Sequence, residues 1–163
     1  AVIVAMEGRV HTAGGGRPRR IPAHRFFVDI FTTALRETEI ISEIFIPPTP
    51  PGTGGSYQKF ANKASHFAVV GVAALVTLGS QRTCQRVRIG ITGAGPRAVR
   101  ARAAERYLAG KAPTEGNLAE AARRATAGID FLSDLEASAE YRQHLTRVFT
   151  TRALTEAVRR ARG

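Results

Sequence analysis

Phe67-Ala68-Val69-Val70-Gly71-Val72-Ala73-Ala74-Leu75-Val76-Thr77-Leu78 is followed by Gly79-Ser80-Gln81 and then by Arg82 to Thr92. The first run is about a dozen residues long, short of the roughly 18 that a membrane-spanning helix needs. Largely apolar and closed by a turn signal, it reads as a strand. In the second run Val87, Ile89 and Ile91 alternate with Arg86, Arg88 and Gly90, the pattern of a strand with one buried face. Two such runs joined by a short turn make an antiparallel hairpin. The extended run Tyr57 to Ala61 supplies a third strand.

Downstream of Pro96 the composition shifts to Ala, Arg, Glu and Leu. Helices are expected at Pro96 to Leu108, Asn117 to Ala127 and Ser138 to Ala161. Thr114 stands at an N-cap, and Gly110 and Gly128 follow two of the helices as stop signals. The fold class is therefore α+β. Upstream of the hairpin, Ala1 to Val4 reads as a strand, Arg9 to Thr12 as a second extended piece, and Arg17 to Ile21 as an edge strand marked by Pro18. Ala23 to Phe31 reads as a short helix with Phe26, Phe27 and Ile30 on one side. Ile40, Ile41, Ile44 and Ile46 form a β-branched run, closed by Pro47-Pro48-Thr49-Pro50-Pro51-Gly52, which can extend neither strand nor helix. The organisation expected is one unit over 1–48, a linker over 49–56 and a second unit over 57–163.

Hydrophobic residues make up 44% of the 163 and charged residues 23%, the balance of a globular protein rather than a disordered one. The net charge of +11 raises nucleic acid as a partner, but the arginines are spread along the chain, only Lys59, Lys63 and Lys111 are lysines, and no RNA-binding aromatic signature accompanies them. Nucleic-acid binding is not expected. Cys84 is the single cysteine, which excludes an internal disulfide framework and any cysteine-based cluster within this chain and points to a reducing, cytoplasmic compartment. Ala1 to Met6 shows neither a basic lead-in nor a cleavage pattern, so it does not read as a signal peptide.

Few residues suggest chemistry. His11, His24, His66 and His144 are scattered without metal-ligand spacing, and no hydrolytic triad is visible. Of three glycine-rich points, only Gly93-Ala94-Gly95-Pro96 is expected to lead into a helix, and it lacks the spacing of a dinucleotide loop and the lysine of a P-loop, so it reads as a turn. Asp130, Asp134, Glu136 and Glu140 precede the last helix and suit its N-terminal dipole. No residue is assigned as catalytic or as a metal ligand.

Several phrases in order resemble the medium, FAD-binding subunit of molybdenum hydroxylases of the carbon monoxide dehydrogenase type, within the xanthine dehydrogenase family. They are Arg20-Ile21-Pro22-Ala23 with Phe26-Phe27; Glu39-Ile40-Ile41 with Ile44-Phe45-Ile46-Pro47; Tyr57-Gln58-Lys59-Phe60 with Phe67 to Ala74; Ile89 to Arg97; Glu105 to Gly110; and Ala139-Glu140-Tyr141-Arg142 with Leu145 and Arg152-Ala153-Leu154. The resemblance spans essentially the whole chain. It implies the end of an FAD-binding domain over 1–48, followed by a C-terminal domain with a three-stranded antiparallel sheet packed with helices. It also implies a function: an oxidoreductase subunit that passes electrons from [2Fe-2S] clusters in a small subunit, fed by a molybdenum cofactor in a large subunit, through FAD to an external acceptor. The alternative is a non-catalytic assembly module of such a complex.

At matching positions Ile41 corresponds to an apolar residue against the isoalloxazine and Lys59 to a lysine near its pyrimidine end, where a cation stabilises negative charge on the reduced ring. His66 stands where many relatives carry an acidic residue. The two glycine-rich loops that hold the FAD pyrophosphate in the family precede the matched part. The chain thus resembles the C-terminal half to two-thirds of such a subunit and by itself is expected to hold FAD poorly and to be inactive.

Overall fold

A computed structural model describes residues 1–163. The chain runs α1 (Val2–Ala5), β1 (Arg9–Gly14), β2 (Arg20–Pro22), α2 (Ala23–Phe26), β3 (Phe27–Asp29), β4 (Thr32–Thr33), β5 (Glu39–Phe45), β6 (Thr53–Ala61), β7 (Ala68–Leu78), β8 (Cys84–Thr92), β9 (Val99–Arg100), α3 (Arg102–Leu108), α4 (Glu115–Arg124) and α5 (Ala139–Ala161). Three sheets form, all antiparallel: β2-β1-β5, the ribbon β3-β4, and β6-β7-β8-β9. The three long strands β6, β7 and β8 make the sheet expected from the sequence, and the two-residue β9 adds an edge to it.

The alternation in β7 and β8 sorts the large sheet into two faces. Val70, Val72, Ala74 and Val76 lie in register with Ile91, Ile89 and Val87 on one face, all at 2% exposure or less. This face meets α5, through Leu145, Phe149, Ala153, Leu154, Ala157 and Val158, together with Ala104 and Leu108 of α3 and Leu118 and Ala121 of α4. Each fully buried Val, Ile or Leu side chain contributes about 1.5–3 kcal/mol, so this one face holds most of the domain together. Ser138 caps α5, accepting from the Tyr141 amide, and Thr114 caps α4 in the same way through Asn117. Gly54 lets α5 close on β6, since a Cβ there would collide with the Ala157 carbonyl. Arg160 Nη1 then donates to the Gly55 carbonyl at 2.8 Å.

The opposite face carries Ala73, Leu75, Thr77, Gly90, Arg88 and Arg86 by the same register. α1 rests on it against Gly90, where a Cβ would overlap the Ala1 carbonyl. Just after α1, Glu7, at φ 55, turns its carboxylate into a group of arginines. It pairs with Arg86, with Arg88 Nε at 2.8 Å and with Arg100 Nη1 at 3.2 Å. Burial alone would raise the Glu7 pKa, but hydrogen bonds from Arg86, Arg88 and Arg100 outweigh it and bring it down to about 2. This cluster ties the N-terminal sheet to the large one.

Sequence expectations differ from the fold at several points, and the edge strand expected from Arg17 begins only at Arg20. Ala1 to Val4, expected as a strand, is the short helix α1, seated closely on the Gly90 backbone. Ala23 to Phe31 is helical only to Phe26; Phe27 is extended and pairs with Thr33, and Ile30 is left 51% exposed. The helix expected from Pro96 begins at Arg102, since Val99 and Arg100 pair with Ile91 and Gly90 as β9. Gly93-Ala94-Gly95-Pro96 therefore enters no helix. β6 starts at Thr53, so Thr53 to Ser56, expected within a linker, are strand. Cys84 is fully buried and burial pushes its thiol up to about 11, the behaviour of a small core residue.

Candidate cofactor site at the open side of the large sheet

α1 covers only the β7–β8 side of the second sheet face. Towards β6 the face is open, and Tyr57 and Lys59 stand on it, in register with Ala73 and Gly71. Gly71 leaves room for the Tyr57 ring, because a Cβ there would collide with Tyr57 Oη. Tyr57 remains 42% exposed, and the desolvation of its hydroxyl raises its pKa. Lys59 is exposed and donates from Nζ to the His66 carbonyl at 2.9 Å.

The turn between β6 and β7 makes that contact possible. Asn62 N donates to the Phe67 carbonyl at 2.8 Å, and His66 N donates to the Asn62 carbonyl at 3.0 Å. Inside the turn Asn62 Oδ1 accepts from Ala64 N at 2.8 Å and Ser65 N at 2.9 Å. His66 takes a left-handed backbone at φ 58, which aims its carbonyl at Lys59. Asn62 Nδ2 in turn donates to Glu136 Oε2, from a loop 74 residues further along.

That loop is anchored from α5. Arg142, 4% exposed, donates from Nη1 to the carbonyls of Val69 at 2.7 Å and Gly93 at 2.9 Å. Its Nη2 meets both carboxylate oxygens of Asp134 at 2.7 Å, and this hydrogen bonding holds the Asp134 carboxyl below the usual range. Asp134 Oδ1 also accepts from Glu136 N and Ala137 N. Of the acidic run expected to serve the α5 dipole, only Glu140 lies in the first turn of that helix. Asp134 and Glu136 are instead used in these tertiary contacts.

The structure thus joins two of the three residues singled out in the sequence. Lys59 and His66 meet directly, though His66 contributes its carbonyl rather than its imidazole. Ile41 stands apart on β5 of the first sheet, opposite Thr12 and 44% exposed, in a row with the exposed Ile40, Ile44 and Phe45. Asn62, Tyr57 and Glu136 are the residues that sequence reading missed. Asn62 begins a polar stretch after a strand, which is a turn signal, whereas nothing local marks Glu136.

A flavin ring asks for a flat surface and, at its pyrimidine end, hydrogen-bond donors and positive charge. The open face fits: the Tyr57 ring lies over Gly71 and offers an aromatic surface, and the Lys59 ammonium has three donors of which one is used. The fit covers the ring alone. Gly93-Ala94-Gly95 leads into no helix, and the space beside Gly93 is taken by the Ala68 and Val69 carbonyls, which are acceptors and suit no phosphate.

Comparison with known proteins agrees with this architecture. Residues 55–157 match the CO dehydrogenase flavoprotein C-terminal domain family. The chain belongs to that family. It is 32% identical over 161 residues to the 6-hydroxypseudooxynicotine dehydrogenase complex subunit alpha of Paenarthrobacter nicotinovorans, covering 99% of this chain and 54% of that protein. It is also 32% identical over 157 residues to the carbon monoxide dehydrogenase medium chain of Hydrogenophaga pseudoflava, covering 96% of this chain and 54% of that protein. The solved carbon monoxide dehydrogenase from Hydrogenophaga pseudoflava, in a form lacking the Mo-pyranopterin moiety of its molybdenum cofactor, superposes with a TM-score of 0.92 at 34% identity over 98% of this chain and 55% of that one. The chain spans about half the length of the relatives it matches.

Proposed function

We propose that this chain forms part of the FAD-binding subunit of a molybdenum hydroxylase, an oxidoreductase complex in which a small iron–sulfur subunit and a large molybdenum subunit are its partners. The observation that carries the reading is the superposition of nearly the whole chain on the carbon monoxide dehydrogenase chain. FAD, when bound, accepts electrons arriving from the [2Fe-2S] clusters and passes them to an external acceptor.

This chain's part is to bind and orient. Lys59 places a cation at the open sheet face, His66 holds that cation through its carbonyl, and Tyr57 borders the same surface. Ile41 supports the reading as an exposed apolar residue on β5, available to pack against the ring from the other lobe. The imidazole of His66 lends no carboxylate charge there, in contrast to the acidic residue that many relatives carry at the matching position. The reading includes a cytoplasmic setting, supported by the buried, unpaired Cys84. No helix is long and apolar enough to cross a membrane.

The test is to isolate the protein with its natural partners and quantify the flavin released on denaturation. One FAD per copy is the expected result. A stable complex with no flavin would overturn the reading and leave an assembly role in its place.

A further inference from the structure

We propose that Glu136 is a positioning residue for Lys59, acting through Asn62 and the 62–67 turn; the inference rests on the flavin reading above. Glu136 lies far from β6 in sequence, yet its carboxylate accepts from Asn62 Nδ2. Asn62 is the organising residue of the turn. Its side-chain oxygen caps the Ala64 and Ser65 amides, its amide and carbonyl close the loop to Phe67 and His66, and the His66 carbonyl holds the Lys59 ammonium.

Asn62 can satisfy the turn with its oxygen only if its amide nitrogen points outward, and Glu136 is the acceptor that fixes that orientation. The carboxylate is held in turn by its own backbone, because Asp134 Oδ1 takes the Glu136 amide and Arg142 clamps Asp134. Glu136 itself is exposed, so its loss costs the core nothing. A chain of hydrogen bonds therefore runs from α5 to a cation on the open sheet face, across three segments distant in sequence. Its ligand-side consequence is that the Lys59 donors keep one direction, which favours a ligand presenting acceptor oxygens to them.

The experiment uses the complete subunit in its complex and reads FAD affinity by flavin fluorescence for wild type, Glu136→Ala, Glu136→Gln, Lys59→Met and the Glu136→Ala/Lys59→Met double variant. Glu136→Ala is expected to weaken FAD binding about fivefold, in line with loss of one charge-assisted hydrogen bond. Glu136→Gln, which keeps an acceptor for Asn62, is expected to restore most of it. The double variant is expected to be no weaker than Lys59→Met alone, the coupling of residues that act in series. Additive losses, or an unchanged affinity in Glu136→Ala, would overturn the positioning role while leaving the flavin reading intact. A wild-type complex without flavin would take down both. As a measurement independent of flavin, amide exchange at Ala64 and Ser65 is expected to quicken in Glu136→Ala, and unchanged exchange would also overturn the inference.

Discussion

Gly90 passes directly beneath the Ala1 carbonyl, close enough that a Cβ would overlap it. The first turn of helix in the chain is thereby seated on the back of the large sheet. Its backbone angle is not of the left-handed kind, so the constraint is one of space alone. Gly90→Ala is expected to lower stability by about 1–3 kcal/mol, the usual penalty of overpacking. Thermal unfolding followed by circular dichroism checks this, and an unchanged Tm would mean that α1 is not seated there.

The Glu7 cluster gives the stability of the protein an acid limb. The folded pKa is about 2 against an ordinary value of 4.5, so the contribution is complete above about 4.5 and is lost as the pH falls from there through about 2. Glu7→Gln is expected to flatten that part of the curve and to lower stability at neutral pH. Urea midpoints across this window decide it; an acid limb of equal steepness in the variant would assign the effect to other carboxylates.

Arg142 holds four oxygens from three segments, and its removal leaves one buried and one half-buried carbonyl without their donor. Asp134 is 47% exposed and can return to water, so the loss falls below that of a fully buried ion pair. Arg142→Met is expected to cost about 2–3 kcal/mol in urea unfolding. Arg142→Lys should recover only a minor part, because an ammonium cannot span the carbonyls and the carboxylate together.

Within the flavin reading, Lys59→Met tests the charge rather than the shape. A unit charge about 4 Å away in a well-solvated site is worth about 1 kcal/mol, equivalent to about 20 mV for a two-electron couple. The flavin midpoint potential in the complete complex is expected to fall by that order. A potential that stays constant or rises would remove Lys59 from the electrostatics of the site.

The portions legible in the sequence are those whose signals are local and repeated. Val87, Ile89 and Ile91 announced the buried face of β8, and Ser138 and Thr114 marked helix starts that the fold keeps. Ala1 to Val4 misled because its β-branched residues favour extended chain, while the deciding partner, Gly90, lies some 90 residues away. Pro96 to Ala101 misled for a similar reason: the composition favours helix, but the exposed edge of β8 captures Val99 and Arg100 first. At the candidate site, Lys59 is proposed from the phrase in which it stands. Asn62 opens a polar stretch that signals a turn, but nothing local marks Glu136 or its link to Asn62, since that link is one hydrogen bond between segments 74 residues apart.

Arg160 on the Gly55 carbonyl joins positions 105 residues apart, and α5 supplies the cover for the strands laid down first. During synthesis, at about 5–20 residues per second, β6 and β7 must wait roughly 5–20 s before that cover leaves the ribosome. For that interval a valine-rich hairpin is exposed on the nascent chain. The large sheet therefore cannot be covered until α5 has been made, and the yield of the protein in cells is expected to depend on chaperones that shield the hairpin until that helix arrives.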